Sequence, residues 1–399
     1  MDLRYSESDE KFRAELRAWL EREVPAYGPR PDHDVDDWDV RRAYDTGWQK
    51  RLHAGGYAGI NWPREYGGCD LPLSEQLVYY EEIARARAPY VGVNFVGMLH
   101  GGPTLIAEGT EEQKKKYIAP IIDGDHVWCQ GFSEPGAGSD LASLQARAVR
   151  VGDEYVINGH KIWTSFAQVA DYCEMLVRTD VDAPKHRGIS WLILPMDAPG
   201  IEIRPLKTMT GDSEFSEVFF NDTPVPVENL VGKENDGWRV TNVTLRFERG
   251  TAFTSEMYSL QAQLAQLVEV AKRVTRHDAN AWDDRALRRE IGHLKAELDA
   301  LWAMLKLSVA EAAGNEGGMP GVGASAVKLF YTELYQRVSE VAMRLAGRAA
   351  LSRGDVEDFP NDAFVAKYMN SLSLTIAAGS SQIQRNIISE RILGLPRER

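Results

Sequence analysis

Trp128-Cys129-Gln130-Gly131-Phe132-Ser133-Glu134-Pro135-Gly136-Ala137-Gly138-Ser139-Asp140 marks the point at which the chain changes its hydrophobic period. Upstream, apolar residues recur at helical spacing, as in Phe12, Leu16, Leu20 and again in Leu77, Tyr80, Ile83. Clusters of Gly and Pro at Pro25 to Pro31, Asn61-Trp62-Pro63 and Gly101-Gly102-Pro103 read as breaks between these helices. Downstream, short apolar runs (Tyr155-Val156-Ile157, Met175-Leu176-Val177, Ser190 to Leu194) are strand-like. The dipeptides Gly152-Asp153, Asn158-Gly159 and Pro199-Gly200 fall between them at hairpin intervals. No helical repeat separates the runs, so the spacing predicts a small antiparallel β domain and excludes a doubly wound sheet.

After Gly237 the helical period returns. Met257, Leu260, Leu264, Leu267, Ala271 and Val274 form one apolar stripe, and Leu287, Ile291, Leu294, Leu298, Leu301 and Leu305 a second. Stripes of this width pack in bundles. The Gly-rich stretch Gly314 to Gly323 has no preceding strand and no following Gly-Lys-Ser/Thr, which makes it an interhelical loop and not a phosphate cradle. The fold expected is α+β: an N-terminal helical domain over residues 1–126, a middle antiparallel β-barrel-like domain over 127–235, and a C-terminal four-helix-bundle-like domain over 236–399.

Composition narrows the function. The 399 residues carry a formal net charge of −13, which repels a phosphate backbone or an anionic membrane surface. No apolar run approaches the length of about eighteen residues that a membrane span needs. Cys69, Cys129 and Cys173 are scattered and odd in number, which suits a reducing, cytoplasmic setting better than a disulfide framework. His100, His126, His160, His277 and His293 lack metal-ligand spacing, so no metal is expected. The acidic run Asp32 to Asp39 reads as a solvated loop.

Gly136 and Gly138 permit close approach of a ligand to the backbone, but Gly136-Ala137-Gly138 lacks the third glycine and the βαβ context of a dinucleotide fingerprint. In its surroundings the segment resembles the flavin-binding stretch of the acyl-CoA dehydrogenase family, and the likeness extends over nearly the whole chain. Asn61-Trp62-Pro63-Arg64-Glu65-Tyr66-Gly67-Gly68 is similar to a helical-domain turn of that family, and Ser133 to Asp140 to its Thr/Ser-Glu-Pro-Gly-Ala-Gly-Ser-Asp motif. Gly152 to Ser165 resembles its hairpin ending in Lys-x-Trp-x-Ser/Thr, and Gly379 to Arg385 its Gly-Thr/Ser-Ser-Gln-Ile-Gln-Arg.

The resemblance implies FAD as cofactor, an acyl-CoA thioester as substrate and an electron-transfer flavoprotein or similar acceptor. It further implies that Gln130, Phe132, Ser133, Gly138, Ser139, Trp163, Thr164 and Ser165 bind the cofactor, with Phe132 and Ser133 lining the ring, Trp163 packing on it and Ser165 offering a hydroxyl to N5. Ser380 and Gln382 would face the adenine end, and Ser139, Glu248 and Arg249 would meet the substrate. The base departs from the commonest family pattern: Ala378 stands where a catalytic Glu is usual. Some members carry the carboxylate on the helix after the β domain, and Phe247-Glu248-Arg249 matches that place, so Glu248 is the candidate base. Otherwise Glu248 is a solvent-facing Glu in a first helical turn. Arg249, on another face, would brace the site.

Two further departures lie in the C-terminal region. Asp278-Ala279-Asn280-Ala281-Trp282 replaces the Arg-x-Thr-Phe-Gly segment that in the family reaches a neighbouring subunit's FAD, and Arg288, in the next turn, is the candidate substitute cation. Arg344-Leu345-Ala346-Gly347-Arg348-Ala349-Ala350 replaces a glycine-rich Gln-x-x-Gly-Gly-x-Gly. The reading is an FAD-dependent α,β-dehydrogenase making a trans-2-enoyl thioester, as a homotetramer. A half-site or non-catalytic partner subunit of a mixed tetramer, and a related flavin oxidase or monooxygenase acting without coenzyme A, stay open.

Overall fold

The computed structural model describes residues 4–31, 37–89, 91–248, 254–276, 279–313, 323–352, 354, 359 and 361–396. The chain divides into two compact units: Glu15–Pro72 with Ala86–Glu248, and Met1–Ala14 with Leu73–Arg85 and Arg249–Arg399. In order along the chain, an N-terminal helical region leads into a β sheet and then into a C-terminal helical region, as the periodicity predicts.

The first unit holds most of α1 (Glu7–Tyr27), α2 (Trp38–Ala54), α4 (Gly102–Glu108), α5 (Glu111–Ile122), the sheet and α6 (Gly237–Glu248). The Asp37 carboxylate caps α2 by accepting from Val40 N at 3.3 Å. A capping box of Thr110 and Gln113 starts α5. The Gln113 side chain also donates to the carbonyls of Glu228 and Leu230 at 2.8 and 2.9 Å, which ties the helix start to the end of the sheet.

The sheet comprises β1 (Trp128–Gly131), β2 (Arg147–Val151), β3 (Glu154–Ser165), β4 (Tyr172–Arg178), β5 (Ile189–Pro195), β6 (Ile201–Leu206), β7 (Phe215–Pro226) and β8 (Leu230–Val231). Its order is β6-β7-β3-β2-β4-β5-β8, with β1 beside β4. Most pairings are antiparallel, but β1 and β2 both run parallel to β4. Each of these two pairs is joined by a long connection, which no hairpin signal can reveal. Gly152-Asp153 is the two-residue turn between β2 and β3, as expected.

Two of the expected breaks are corrected. Asn158-Gly159 lies inside β3, where Asn158 stands opposite a bulge in β7 at Asn221-Asp222. A Cβ on Gly159 would stand 2.4 Å from Ala146 Cβ, so the glycine serves close approach and not a turn. Gly101-Gly102-Pro103 lies in an unbroken helical run, where a π turn over Gly97–Gly101 passes into α4 and Pro103 occupies its first turn. A Cβ on Gly102 would lie 2.3 Å from the Trp62 ring, and one on Gly101 3.0 Å from the Trp128 ring. These glycines let a helix backbone lie directly on two indoles.

In the second unit, α3 (Leu73–Arg85), α7 (Thr254–Ala271), α8 (Arg285–Ala313), α9 (Gly323–Ala346) and α10 (Asn361–Leu374) surround one apolar core, and α11 (Ser381–Ile387) packs on α9. Both expected stripes are in that core, from Met257, Leu260 and Leu267 on α7 to Ile291, Leu298 and Leu301 on α8. Residues 314–322 of the Gly-rich stretch lie outside the described residues, as do Asp32 to Asp36 of the acidic run. Among the described residues no helix is long and apolar enough to cross a membrane.

Glu256, in the first turn of α7, sits against this core with Oε2 buried and lacking a hydrogen-bond partner among the described residues. Burial pushes its carboxyl from the ordinary 4.5 up to about 7. A carboxyl with a raised folded pKa is protonated in the folded chain while already ionised in the unfolded one, so stability falls as pH rises from about 4.5 to about 7 and stays low above. Glu256→Gln is therefore expected to raise the thermal midpoint at pH 8 and to leave it nearly unchanged at pH 4.5. Equal shifts at both pH values in a differential scanning experiment would remove the carboxyl as the cause.

Candidate flavin and substrate site

The segment after β1 is shaped by one buried ion pair. Lys161, fully buried on β3, donates from Nζ to the Phe132 carbonyl at 3.0 Å and to Glu134 Oε1 at 2.9 Å. The same carboxylate accepts from the backbone N–H groups of Gln145 at 2.6 Å and Ala146 at 2.8 Å. Burial pushes the Lys161 ammonium below its ordinary range, and the carboxylate opposes this. Ile162 N donates to Ser133 O at 3.0 Å, and Glu134 and Ala137 exchange two backbone bonds that close the Pro135-Gly136 turn. Phe132, Ser133 and the strand carrying Trp163, Thr164 and Ser165 are thereby brought together.

Between Lys161 and Thr164 the β3–β7 register slips, and the bulge falls on Trp163. Trp163 has φ +61° and its indole is 57% exposed, edge-on to Phe215 at 5.9 Å. A large aromatic left exposed on strained backbone marks a surface that waits for a partner. Thr164 turns the other way, into the core, with Oγ1 buried and lacking a hydrogen-bond partner among the described residues, while Ser165 is half-buried. Gly138 and Ser139 are exposed, and a Cβ on Gly136 or Gly138 would meet no atom within 4 Å. Gln130 donates both amide protons, to Glu174 Oε1 at 2.7 Å and toward His100 Nδ1 at 3.1 Å. Glu248 is the last residue of α6, not a member of a first turn; its side chain and the whole of Arg249 lie outside the described residues.

The remaining expected residues belong to the second unit. Ser380 caps α11, accepting from Ile383 N at 3.3 Å, so its O–H remains as a donor. Gln382 is exposed on the first turn of that helix, and Arg288 is exposed on the first turn of α8. Ala378 and Gly379 take left-handed φ values of +52° and +83°. Two buried side chains that the sequence reading missed hold this turn. Lys328 donates to the carbonyls of Leu374 at 3.0 Å and Gly379 at 2.8 Å, and Gln384 to those of Ala378 at 2.9 Å and Gly379 at 3.3 Å. Lys161 and Glu134 were missed in the same way, although Lys161 keeps the odd-numbered phase of the buried residues Tyr155 and Ile157, which signals a buried cation in need of a carboxylate.

The chain matches the acyl-CoA dehydrogenase N-terminal domain over residues 6–125, the middle domain over 129–223 and the C-terminal domain over 235–393. It is 39% identical to the acyl-CoA dehydrogenase IpdE1 of Mycobacterium tuberculosis, with 98% of each chain covered. Among solved structures it is similar to a chain of the ChsE4-ChsE5 complex of Mycobacterium tuberculosis, at TM-score 0.85 and 33% identity, with both chains covered in full. A chain of the Tcur3481-Tcur3483 steroid ACAD is similar at TM-score 0.83 and 33% identity, again over both full lengths. The chain belongs to the acyl-CoA dehydrogenase family. It is an FAD-dependent oxidoreductase of that class. The residues present fit such a cofactor, since an exposed indole, two glycines with open space over them and a half-buried Ser165 suit a flat ring better than the solvent they otherwise face.

Proposed function

We propose that the chain removes one hydrogen each from Cα and Cβ of an acyl-CoA thioester to give the trans-2-enoyl thioester, with Glu248 as the base for the Cα proton. The observation that carries this reading is the exchange of carboxylate positions: Ala378 cannot hold a proton, and Glu248 ends α6 at the place where a minority of the family keeps the base. A carboxylate at the last residue of a helix lies at the negative end of the aligned peptide dipoles. That position does nothing for a structural anion and favours proton uptake. FAD, when bound, supplies the two-electron acceptor for the hydride from Cβ.

Phe132, Ser133 and Trp163 would orient the ring, Ser165 would donate to its N5, and Gly138 and Ser139 would admit the thioester beside it. Gln130 and Thr164 are proposed to support the ring from the strand side, Ser380, Gln382 and Arg288 to serve the adenine and pyrophosphate, and Arg249 to brace the substrate. A steroid-derived acyl group is the proposed substrate class, supported by the full-length likeness to the steroid ACAD. An electron-transfer flavoprotein is the proposed acceptor, and the proposed assembly is a tetramer. A mixed tetramer is the second reading: Ala281 and Trp282 stand where the family has Phe and Gly of its pyrophosphate-reaching segment, and one of the similar solved chains belongs to the ChsE4-ChsE5 complex.

Three outcomes follow. Glu248→Gln is expected to keep flavin and lose about 10²–10⁴-fold in the rate of anaerobic flavin bleaching by substrate, the usual range for a general base; stopped-flow rates close to the parent would remove Glu248 as the base. Gly138→Val is expected to fold like the parent, because its Cβ has open space, and to purify largely without FAD, because the branched side chain occupies the ring's approach. Full occupancy would show that the ring lies elsewhere. Light scattering with flavin counting on the chain expressed alone distinguishes the assemblies: one FAD per subunit in a tetramer supports a self-sufficient enzyme, whereas half occupancy or a colourless dimer supports the mixed one.

A further inference from the structure

We propose that Lys161 is a positioning residue for the cofactor, acting with Glu134 as a buried clamp that holds the Phe132–Gly138 loop and the Trp163 bulge in one arrangement. The inference rests on reading these two segments as the flavin platform. Its support is the connectivity of the pair. One ammonium and one carboxylate join three separate pieces of chain: the Phe132 carbonyl at the end of β1, the N–H groups of Gln145 and Ala146 before β2, and β3 itself two residues ahead of Trp163. Two of the three, the Phe132 segment and β3, carry residues proposed to touch the cofactor.

Stability alone gives a poor reason for this pair. Lys161 is fully buried and Glu134 is 8% exposed, so both charges lose their hydration, and apolar side chains of the same volume often stabilise as well or better. What apolar groups cannot do is answer the geometry. The Phe132 carbonyl requires a donor, and the N–H groups of Gln145 and Ala146 require acceptors on two different oxygens, because Gln145 bonds Oε2 and Ala146 bonds Oε1. A lysine brings three protons to a point and a carboxylate brings two divergent oxygens. With both in place the loop has one orientation. Beside it, the backbone at Trp163 is held at φ +61° with more than half of the residue exposed, a conformation that persists only if its surroundings over-determine it.

The test uses apoprotein and a readout apart from turnover. The double variant Glu134→Gln/Lys161→Met keeps an acceptor oxygen and the side-chain volume while it removes both charges. A control, Val177→Ala, truncates a buried residue of the same sheet core. FAD dissociation constants are measured by fluorescence quenching, and urea midpoints on the same apoprotein samples. The clamp predicts at least a tenfold weaker FAD affinity in the double variant and an affinity within twofold of the parent in the control, at comparable loss of urea midpoint. Parent-like affinity in the double variant overturns the proposal, and so does an equal loss in the control, since either makes the pair only structural. If the double variant does not fold, Glu134→Gln alone takes its place, with a loss of at least threefold expected and parent-like affinity overturning the clamp. Failure of a tetrameric parent apoprotein to bind FAD would instead sink the flavin-platform reading itself.

Discussion

Much of the first unit hangs on a helix backbone pressed against two indoles. The π turn over Gly97–Gly101 and the start of α4 contact the rings of Trp62 and Trp128 where any side chain on Gly101 or Gly102 would collide. Trp62 is fixed in turn by its Nε1–H, which donates to the Met98 carbonyl at 3.2 Å on that same helical run. Trp128 is the first residue of β1, so the contact sets where the sheet begins and hence where the loop from Phe132 emerges. On its other side α4 meets α6 through a fully buried hydrogen bond from Thr104 to Thr244 at 2.9 Å. The helix that ends at Glu248 and the strand that leads into the Phe132–Gly138 loop are thus both referenced to one glycine-tight surface.

The sheet tolerates costs that a purely structural sheet would avoid. A tryptophan at φ +61° exposes more than half its surface, and a charged lysine is fully buried in an otherwise apolar layer. Each is unfavourable taken alone, by roughly 1–3 kcal/mol for a residue held in such a backbone region. They occur within three residues on one strand, and the lysine is bonded to the loop that carries Gly136 and Gly138. Strain, exposure and buried charge coincide at the place proposed for the cofactor.

The legible part of the fold is the part governed by repetition. The stripes on α7 and α8 and the alternating strands announce themselves because burial of one face recurs every three to four residues or every two. Gly101-Gly102-Pro103 and Asn158-Gly159 misled because glycine has two uses, turning and yielding space, and only the second partner, Trp62 or Ala146, shows which applies. The parallel neighbours of β4 were hidden because their connections are long. At the proposed site, the order of motifs points to Phe132, Ser133 and Trp163, whereas Glu134 with Lys161, which hold that loop, and Gln384 with Lys328, which hold the Ala378–Gly379 turn, are long-range groupings. No local pattern reports such a pair, although a lysine in phase with a buried strand face is a clue.

The turn at Ala378 and Gly379 has a bearing on how a base can change place within a family. Its left-handed backbone is held from outside, by the ammonium of Lys328 and the amide of Gln384 gripping carbonyl oxygens, and owes nothing to the side chain at position 378. Such a turn behaves as a socket. A methyl group occupies it here, and because the bonds that hold the turn run to carbonyl oxygens, a different side chain at 378 would leave those bonds in place. On the proposed assignment of the base to Glu248, a side chain mounted on this turn is an exchangeable part, since its loss leaves the turn's hold intact.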